Sequence, residues 1–265
     1  MKKIINKLKK LILYENKVSL TIYLVLRFLI IVCMVRELFN GNFQNALLCV
    51  LSLILFLIPA FVEKKFKIDL PTVLEVIIFI FIFSAEILGE INNFYGRFPL
   101  FDDILHTING FLAASVGFSL VYLLNEKSES VNLSPVFISL VAFCFSMTIG
   151  VVWEFFEYGM DNIFNLDMQK DAYVYNINTV TIDPKHANNV IKIDDINNTI
   201  IYKQGGSELL KLDGYLDIGL HDTMKDLLVN FIGALIFSIF GYMYIINKEK
   251  YHLAGKFLTQ KNLKE

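Results

Sequence analysis

Long apolar stretches alternate with polar breaks along this chain. The stretches at positions 18–35, 45–62, 70–88, 102–124, 135–158 and 223–246 are predominantly apolar. Crossing roughly 30 Å of hydrocarbon takes about 20 helical residues, so each predicts a transmembrane helix. The breaks are short except for one, 162–220, which is rich in Asn, Asp, Ile and Thr and has almost no helical period. Within it, β-favouring runs at 190–193 and 199–203 flank Asp194-Asp-Ile-Asn-Asn198 and predict a hairpin. A further extended run, 173–182, ends at Asp183-Pro184. The expected fold is therefore all-α and integral to the membrane. It is a six-transmembrane-helix bundle with a long, partly β extracytoplasmic loop between helices five and six. The expected organisation is a basic N-terminal segment at 1–17, helices one to five over 18–161, a loop or lid over 162–220, helix six over 221–246 and a tail over 247–265.

Composition agrees with the pattern: 55% of residues are hydrophobic, 24 of 265 are Phe, and the mean hydropathy is +0.54. These values exceed those of ordinary soluble domains. A net charge of −2 argues against a nucleic-acid partner. Cys33, Cys49 and Cys144 fall in apolar runs without metal-ligand spacing and read as small core residues. The phenylalanines of 77–83 are expected to face lipid. Ser115, Ser119, Ser146 and Thr148 are expected to bond back to helix carbonyls.

Lys and Arg set the orientation, because short positive loops stay in the cytoplasm. With the N-terminus inside, the cytoplasmic segments hold 15 of the 24 basic residues and the outer loops hold 6, the rest being Arg27, Arg36 and Lys225 in or at helices. Both termini are thus expected in the cytoplasm. The N-terminal Met1-Lys-Lys-Ile-Ile-Asn-Lys-Leu-Lys-Lys10 is expected to lie on the anionic inner leaflet. The first span has no small-x-small exit and carries Arg27 and Arg36, so it reads as a retained helix rather than a cleaved signal.

This topology collects polar residues at one membrane face. Helix three ends outward with Glu86 and Glu90, and helix four begins there with Asp102, Asp103 and His106. Helix five ends outward with Glu154, Glu157 and Asp161, and helix six begins with His221, Asp222, Lys225 and Asp226, then carries Asn230 one turn deeper. Asp102, His106 and Gly110 stand at i, i+4 and i+8, as do Asp222, Asp226 and Asn230, the latter leading into Gly233. Small residues on such stripes let a neighbouring helix approach closely. Trp153 and Tyr158 read as interface anchors.

Three runs carry a resemblance: Phe-Asp-Asp-Ile-Leu-His at 101–106, Trp-Glu-Phe-Phe-Glu at 153–157 and Asp-Thr-Met-Lys-Asp at 222–226. Together they resemble bacterial YjdF-type integral membrane proteins of unknown function, and more distantly the VanZ-like family. Asp102, His106, Glu154, Asp226, Asn230 and Gly233 match the VanZ-like pattern, whereas Glu157, Asp222 and Lys225 match the YjdF-type pattern better. A Gln-Gly-Asp run associated with the approach to the last helix is replaced here by Asp217-Ile-Gly219, after a much longer outer loop. The resemblance implies a multi-pass protein of the bacterial plasma membrane and cell envelope.

Ionisable groups at membrane depth are functional candidates by default. Carboxylates with a histidine suit a divalent metal such as Zn²⁺, Mn²⁺ or Mg²⁺. On that reading Asp102, His106, Glu154 and Asp226 are the metal ligands, Asp222 or Glu157 the general base, and Lys225 or Arg97 a phosphate contact, with Asn230 beside the ligand. The ligand would be an envelope lipid or a lipid-linked phosphate precursor. A second reading makes the chain a proton- or cation-coupled transporter, with Glu75 and Arg27 extending the pathway inward. A third is a structural or lipid-binding membrane protein in which Arg36, Arg97 and Lys225 neutralise the acids. Reporter fusions test the topology: alkaline phosphatase joined after Val190 is expected to be active, and a green fluorescent protein at the C-terminus is expected to fluoresce. The opposite pair of results inverts the orientation.

Overall fold

Hydrocarbon offers no partner to a backbone N–H or C=O, so a chain that crosses it must bond these groups within its own segments. The computed structural model, which describes residues 17–66, 68–127, 132–258 and 260–261, meets this demand with helices. Among the described residues, six segments are long and apolar enough to cross a membrane: Lys17–Phe39, Phe43–Lys65, Thr72–Ile91, Phe101–Glu126, Pro135–Phe164 and Leu220–Ile246. All six expected spans are present; five are longer by three to six residues, and the third, Thr72–Ile91, is shifted by two to three residues along the chain. The basic segment expected at the N-terminus lies outside the described residues, except for Lys17.

In chain order the helices are α1 (Lys17–Phe39), α2 (Phe43–Leu55), α3 (Ile58–Phe66), α4 (Thr72–Phe83), α5 (Phe94–Arg97), α6 (Phe101–Lys127), α7 (Pro135–Phe164), α8 (Leu220–Ile246) and α9 (His252–Gly255). The second span is broken between α2 and α3 because Pro59 has no N–H to give and its ring excludes a continuous helix. The third span runs from α4 into a π-helical segment, Ser84–Ile91, closed by the Asn92 amide on the Ile87 carbonyl five residues back, 3.1 Å. The sequence pattern predicted ordinary helix there. Gly89 lets the Tyr95 ring lie against the backbone, where a Cβ would stand 2.4 Å from a ring carbon.

The chain divides into two units, Met1–Gly150 with Leu227–Glu265, and Val151–Asp226. Within the first, α1, α2, α4 and the π segment share a core of Tyr23, Ile30, Cys33, Cys49, Phe56, Phe79, Ile82 and Ile87. Phe79 is fully buried, 5.2 Å from the Phe56 ring and 5.3 Å from that of Tyr23. This corrects the expectation that the phenylalanines of 77–83 face lipid, since the stripe also has an inner side. Cys144 departs the other way, being exposed where a core position was expected.

A second core in this unit joins Ala114 and Phe118 of α6, Ile138 and Ala142 of α7, Ala234 and Phe237 of α8, and Leu258. The tail therefore turns back: Leu258 is buried, the Phe257 and Phe111 rings meet at 5.2 Å, and strand Gln260–Lys261 pairs antiparallel with Ile68–Asp69.

Glycines bring α6, α7 and α8 together around Asn230, which is 1% exposed. A Cβ on Gly110 would stand 2.1 Å from the Asn230 carbonyl oxygen, one on Gly233 would stand 2.0 Å from that of Thr107, and one on Gly150 would meet the Asn230 side chain at 2.7 Å. Polar groups reinforce the junction. Asn109 Nδ2 donates to Asn230 Oδ1 at 3.3 Å, Asn230 Nδ2 to Met147 Sδ at 3.7 Å, and Ser146 Oγ to the Gly110 carbonyl at 2.7 Å. Ser146 thus bonds across helices, whereas Ser115, Ser119 and Thr148 bond back along their own.

In the second unit the end of α7 leads into three two-stranded antiparallel sheets and then into the first turns of α8. Ala172–Val174 pairs with Tyr215–Asp217, Ile177–Thr179 with Ile191–Ile193, and Thr199–Tyr202 with Glu208–Leu212. The two strands expected to form one hairpin across Asp194-Asp-Ile-Asn-Asn198 are both present but pair elsewhere. The tight turn lies at Gly205 and Gly206 instead, with φ of +111° and +87°, a backbone region that glycine enters without steric cost. Likewise the run 173–182 is split into two strands. Beyond it, the buried Asp183 carboxylate accepts from the amides of Lys185, Ala187 and Asn189 and from Asn189 Nδ2.

Two predictions follow from this packing. Gly110→Ala and Gly233→Ala each force backbone apart and should destabilise by about 1–3 kcal/mol. Gly159→Ala, with nothing within 4 Å of the new Cβ, should gain about 0.5–1 kcal/mol from helix propensity. Thermal unfolding in detergent reads all three, and equal behaviour would refute the junction. The donors around Asp183, the Asn189 amide foremost, hold its pKa below the ordinary value of 3.8. Its stabilisation is therefore full above that value and is lost as pH falls through the depressed one. Hydrogen exchange in the 183–189 turn, corrected for intrinsic rates, should be slow at pH 6, should speed up as pH falls through the depressed pKa of Asp183, and should be fast throughout in Asp183→Asn.

Candidate functional site

Three carboxylates converge in the unit Val151–Asp226. Glu154 and Glu157 stand at i and i+3 on α7, which brings them to one side of the helix. Asp226 lies on the second turn of α8. All three are buried, Asp226 most completely at 1% exposure. One oxygen from each lies within 4.8 Å of the other two. Oxygens bound to one ion at about 2.0–2.6 Å fall within such a separation, so the trio can chelate a hard divalent cation. Trp153 Nε1 donates to Glu157 Oε1 at 2.8 Å, which orients that carboxylate. Trp153, expected only as an interface anchor, therefore also serves the acids.

Asp222 is placed differently from its neighbour one turn on. Its Oδ2 accepts from the Lys170 amide at 2.7 Å, while Gln169 Nε2 donates to Thr223 Oγ1 at 2.5 Å. Asp161 accepts from the Met168 and Gln169 amides at 2.6 and 2.9 Å, and Asp217 Oδ2 from the His221 amide at 2.8 Å. Asp161, Asp217 and Asp222 thus hold the chain leaving α7 against the first turn of α8. The region is electronegative: partial desolvation, then Asp167, Asp161 and Asp217, raise the pKa of Asp171 above its usual value. Lys225 is exposed on α8.

In the other unit, Asp102 and His106 form an i, i+4 pair on the first turns of α6, Nε2 to Oδ1 3.6 Å, with side chains 26% and 11% exposed. Arg97 is exposed at the end of α5. Asn230 is held within the glycine junction, with its amide engaged by Asn109 and Met147. Along the chain it follows Asp226 by one helical turn, as Glu154 follows Gly150.

The sequence pattern did not mark two polar groups. Glu37, 3% exposed, accepts from Arg36 Nε at 2.8 Å and from Asn42 and Asn45 Nδ2 at 3.0 and 3.1 Å, closing the turn between α1 and α2. Arg36, expected to neutralise the acids of other helix ends, serves its own neighbour. Asn109 sits one position off the Asp102, His106, Gly110 stripe, so periodicity passed over it. Arg27 donates to Tyr23 of its own helix and lies over that ring.

A family model described as a predicted membrane protein, DUF2238, matches residues 19–247. The chain belongs to the DUF2238 family. This is the family that the YjdF-type resemblance named. The match takes in five whole spans, all but the first two residues of the other, and the β-bearing segment between the last two. No curated protein and no solved structure matches the chain.

Proposed function

We propose that this DUF2238 protein binds a divalent cation at the outward ends of its later helices and there recognises or processes the phosphate of an envelope lipid or lipid-linked precursor. The observation that carries this reading is the convergence of Glu154, Glu157 and Asp226, three buried carboxylates with oxygens within 4.8 Å. At that spacing each pair of charges repels by on the order of 3 kcal/mol at an effective dielectric of about 20. A site so composed favours a bound cation or proton.

Glu154 and Asp226 act as ligands in this reading; the Asp102–His106 pair, which the sequence also offers as ligands, belongs to the other unit. Glu157, oriented by Trp153, is a further ligand or the base that takes a proton from water. Lys225 and Arg97 are exposed cations suited to a phosphate. Asn230, which the sequence offers as a ligand contact, lies one turn further along α8, and Asp222 fixes the loop that leads into it. A divalent ion bound here would clamp phosphate oxygens and lower the pKa of a bound water. The VanZ-like pattern of Asp102, His106, Glu154 and Asp226 supports the same residues and the envelope setting. One observation favours a second reading, cation or proton transport: Glu75 is buried within the third span, at 5% exposure.

Elemental analysis and Mn²⁺ titration of the detergent-purified protein test the proposal. The wild type should hold about one ion, and Glu154→Gln, Glu157→Gln and Asp226→Asn should each weaken it at least about tenfold while leaving insertion intact. A folded wild type that takes up no Mn²⁺, Zn²⁺ or Mg²⁺ would overturn it. Cation flux into vesicles that vanishes in Glu75→Gln would establish the transport reading instead.

A further inference from the structure

Cys33 and Cys49 occupy one level of the α1–α2 helical hairpin. Cys33 lies six residues before the end of α1 and Cys49 six residues after the start of α2. At 1.5 Å per residue, each stands about 9 Å from the connecting turn. Both are buried, at 8% and 0% exposure, in the same apolar cluster, and the Cys33 thiol neighbours that of Cys49. Two small core residues would satisfy this much. What packing alone does not require is the cation: Arg36 Nη2 donates to Cys33 Sγ at 3.7 Å while its Nε holds Glu37. Glu37 is fixed in turn by Asn42 and Asn45, so the guanidinium is held over the sulfur.

We infer that Cys33 and Cys49 are a redox-active dithiol that closes to an inter-helix disulfide on reaction with a disulfide oxidant, either a small molecule or a carrier protein. Cys33 reacts first, since it has the greater exposure and faces the guanidinium, which stabilises the negative charge an attacking sulfur carries. Its thiol loses a proton, and its sulfur attacks one sulfur of the oxidant, whose S–S bond breaks and releases a thiolate. Cys49 then loses its proton and attacks the Cys33 sulfur of the mixed disulfide, displacing the second thiolate. The two displaced thiolates take up the two protons. Two protein thiols are oxidised and one disulfide is reduced to two thiols. The product staples α1 to α2 across the turn that Glu37 closes. Cys144, exposed on α7, provides an internal reference.

The test uses the full chain in detergent, reduced, freed of reductant and treated with oxidised glutathione or, for access through the micelle, with diamide. Denaturing alkylation with mass spectrometry then counts thiols. The wild type should show a Cys33–Cys49 disulfide by mass spectrometry, with Cys144 either alkylated or carrying a glutathione adduct, and should regain all three alkylatable thiols on reduction. Cys49→Ser should trap a glutathione adduct at Cys33, and Cys33→Ser should leave Cys49 alkylatable. Arg36→Gln should slow closure about tenfold, the size expected for losing one charge-assisted hydrogen bond. If neither oxidant removes Cys33 and Cys49 from alkylation, while the denatured chain oxidises under the same conditions, the inference is overturned. A disulfide joining Cys144 to Cys33 or Cys49 would overturn it equally.

Discussion

Backbone-to-backbone contact between helices is the constraint on which the larger unit rests. In a bilayer, apolar side chains gain nothing by leaving lipid for one another, so association depends on close packing and on polar groups that lipid cannot satisfy. Gly110 and Gly233 supply the first, each leaving room for a carbonyl oxygen where a methyl would collide. Asn230, Asn109 and Ser146 supply the second. Because one residue serves both roles, Asn230 couples the distance between α6 and α8 to the satisfaction of its own amide. Along the chain, Glu154 comes one turn after Gly150 on α7 and Asp226 one turn before Asn230 on α8.

Charge in this protein is handled locally and by several devices. Glu37 is surrounded by a guanidinium and two amides, Asp183 by four N–H donors, and Asp161, Asp217 and Asp222 by loop and helix amides. These acids close turns. Glu154, Glu157 and Asp226 differ in kind, because they bring carboxylate against carboxylate in a buried place. Glu157 takes a donor from Trp153 as well, and it is the proximity of the three carboxylates that suits a cation in the proposed reading. That distinction separates the proposed ion site from the rest of the acidic residues, and no count of acids and bases would have drawn it.

The six spans, the β-bearing insert and the glycine stripes were legible in the sequence because each depends on local spacing. A run of about 20 apolar residues has one economical conformation in hydrocarbon, and Gly110, Asn230 and Gly233 stand where a period of 3.6 brings them to one side. Legibility failed wherever a partner distant in the chain decided the outcome. Thr199–Tyr202 bonds to Glu208–Leu212 rather than to the strand before it, because two glycines beyond it make the tighter turn. Phe79 is buried although it lies in an unbroken apolar run, where hydrophobicity has no direction and only neighbouring helices choose the inner side.

The sequence by itself determined the membrane class, the number of spans and the candidate residues, since bilayer thickness and helical period act on single segments. Tertiary structure alone decided that Glu157 joins Glu154 and Asp226 while Asp222 anchors a loop. It alone decided that Cys33 and Cys49 share a level with Arg36, and that the tail returns to bury Leu258. Each of these depends on how two segments meet, and the energy of such a meeting is written in neither segment.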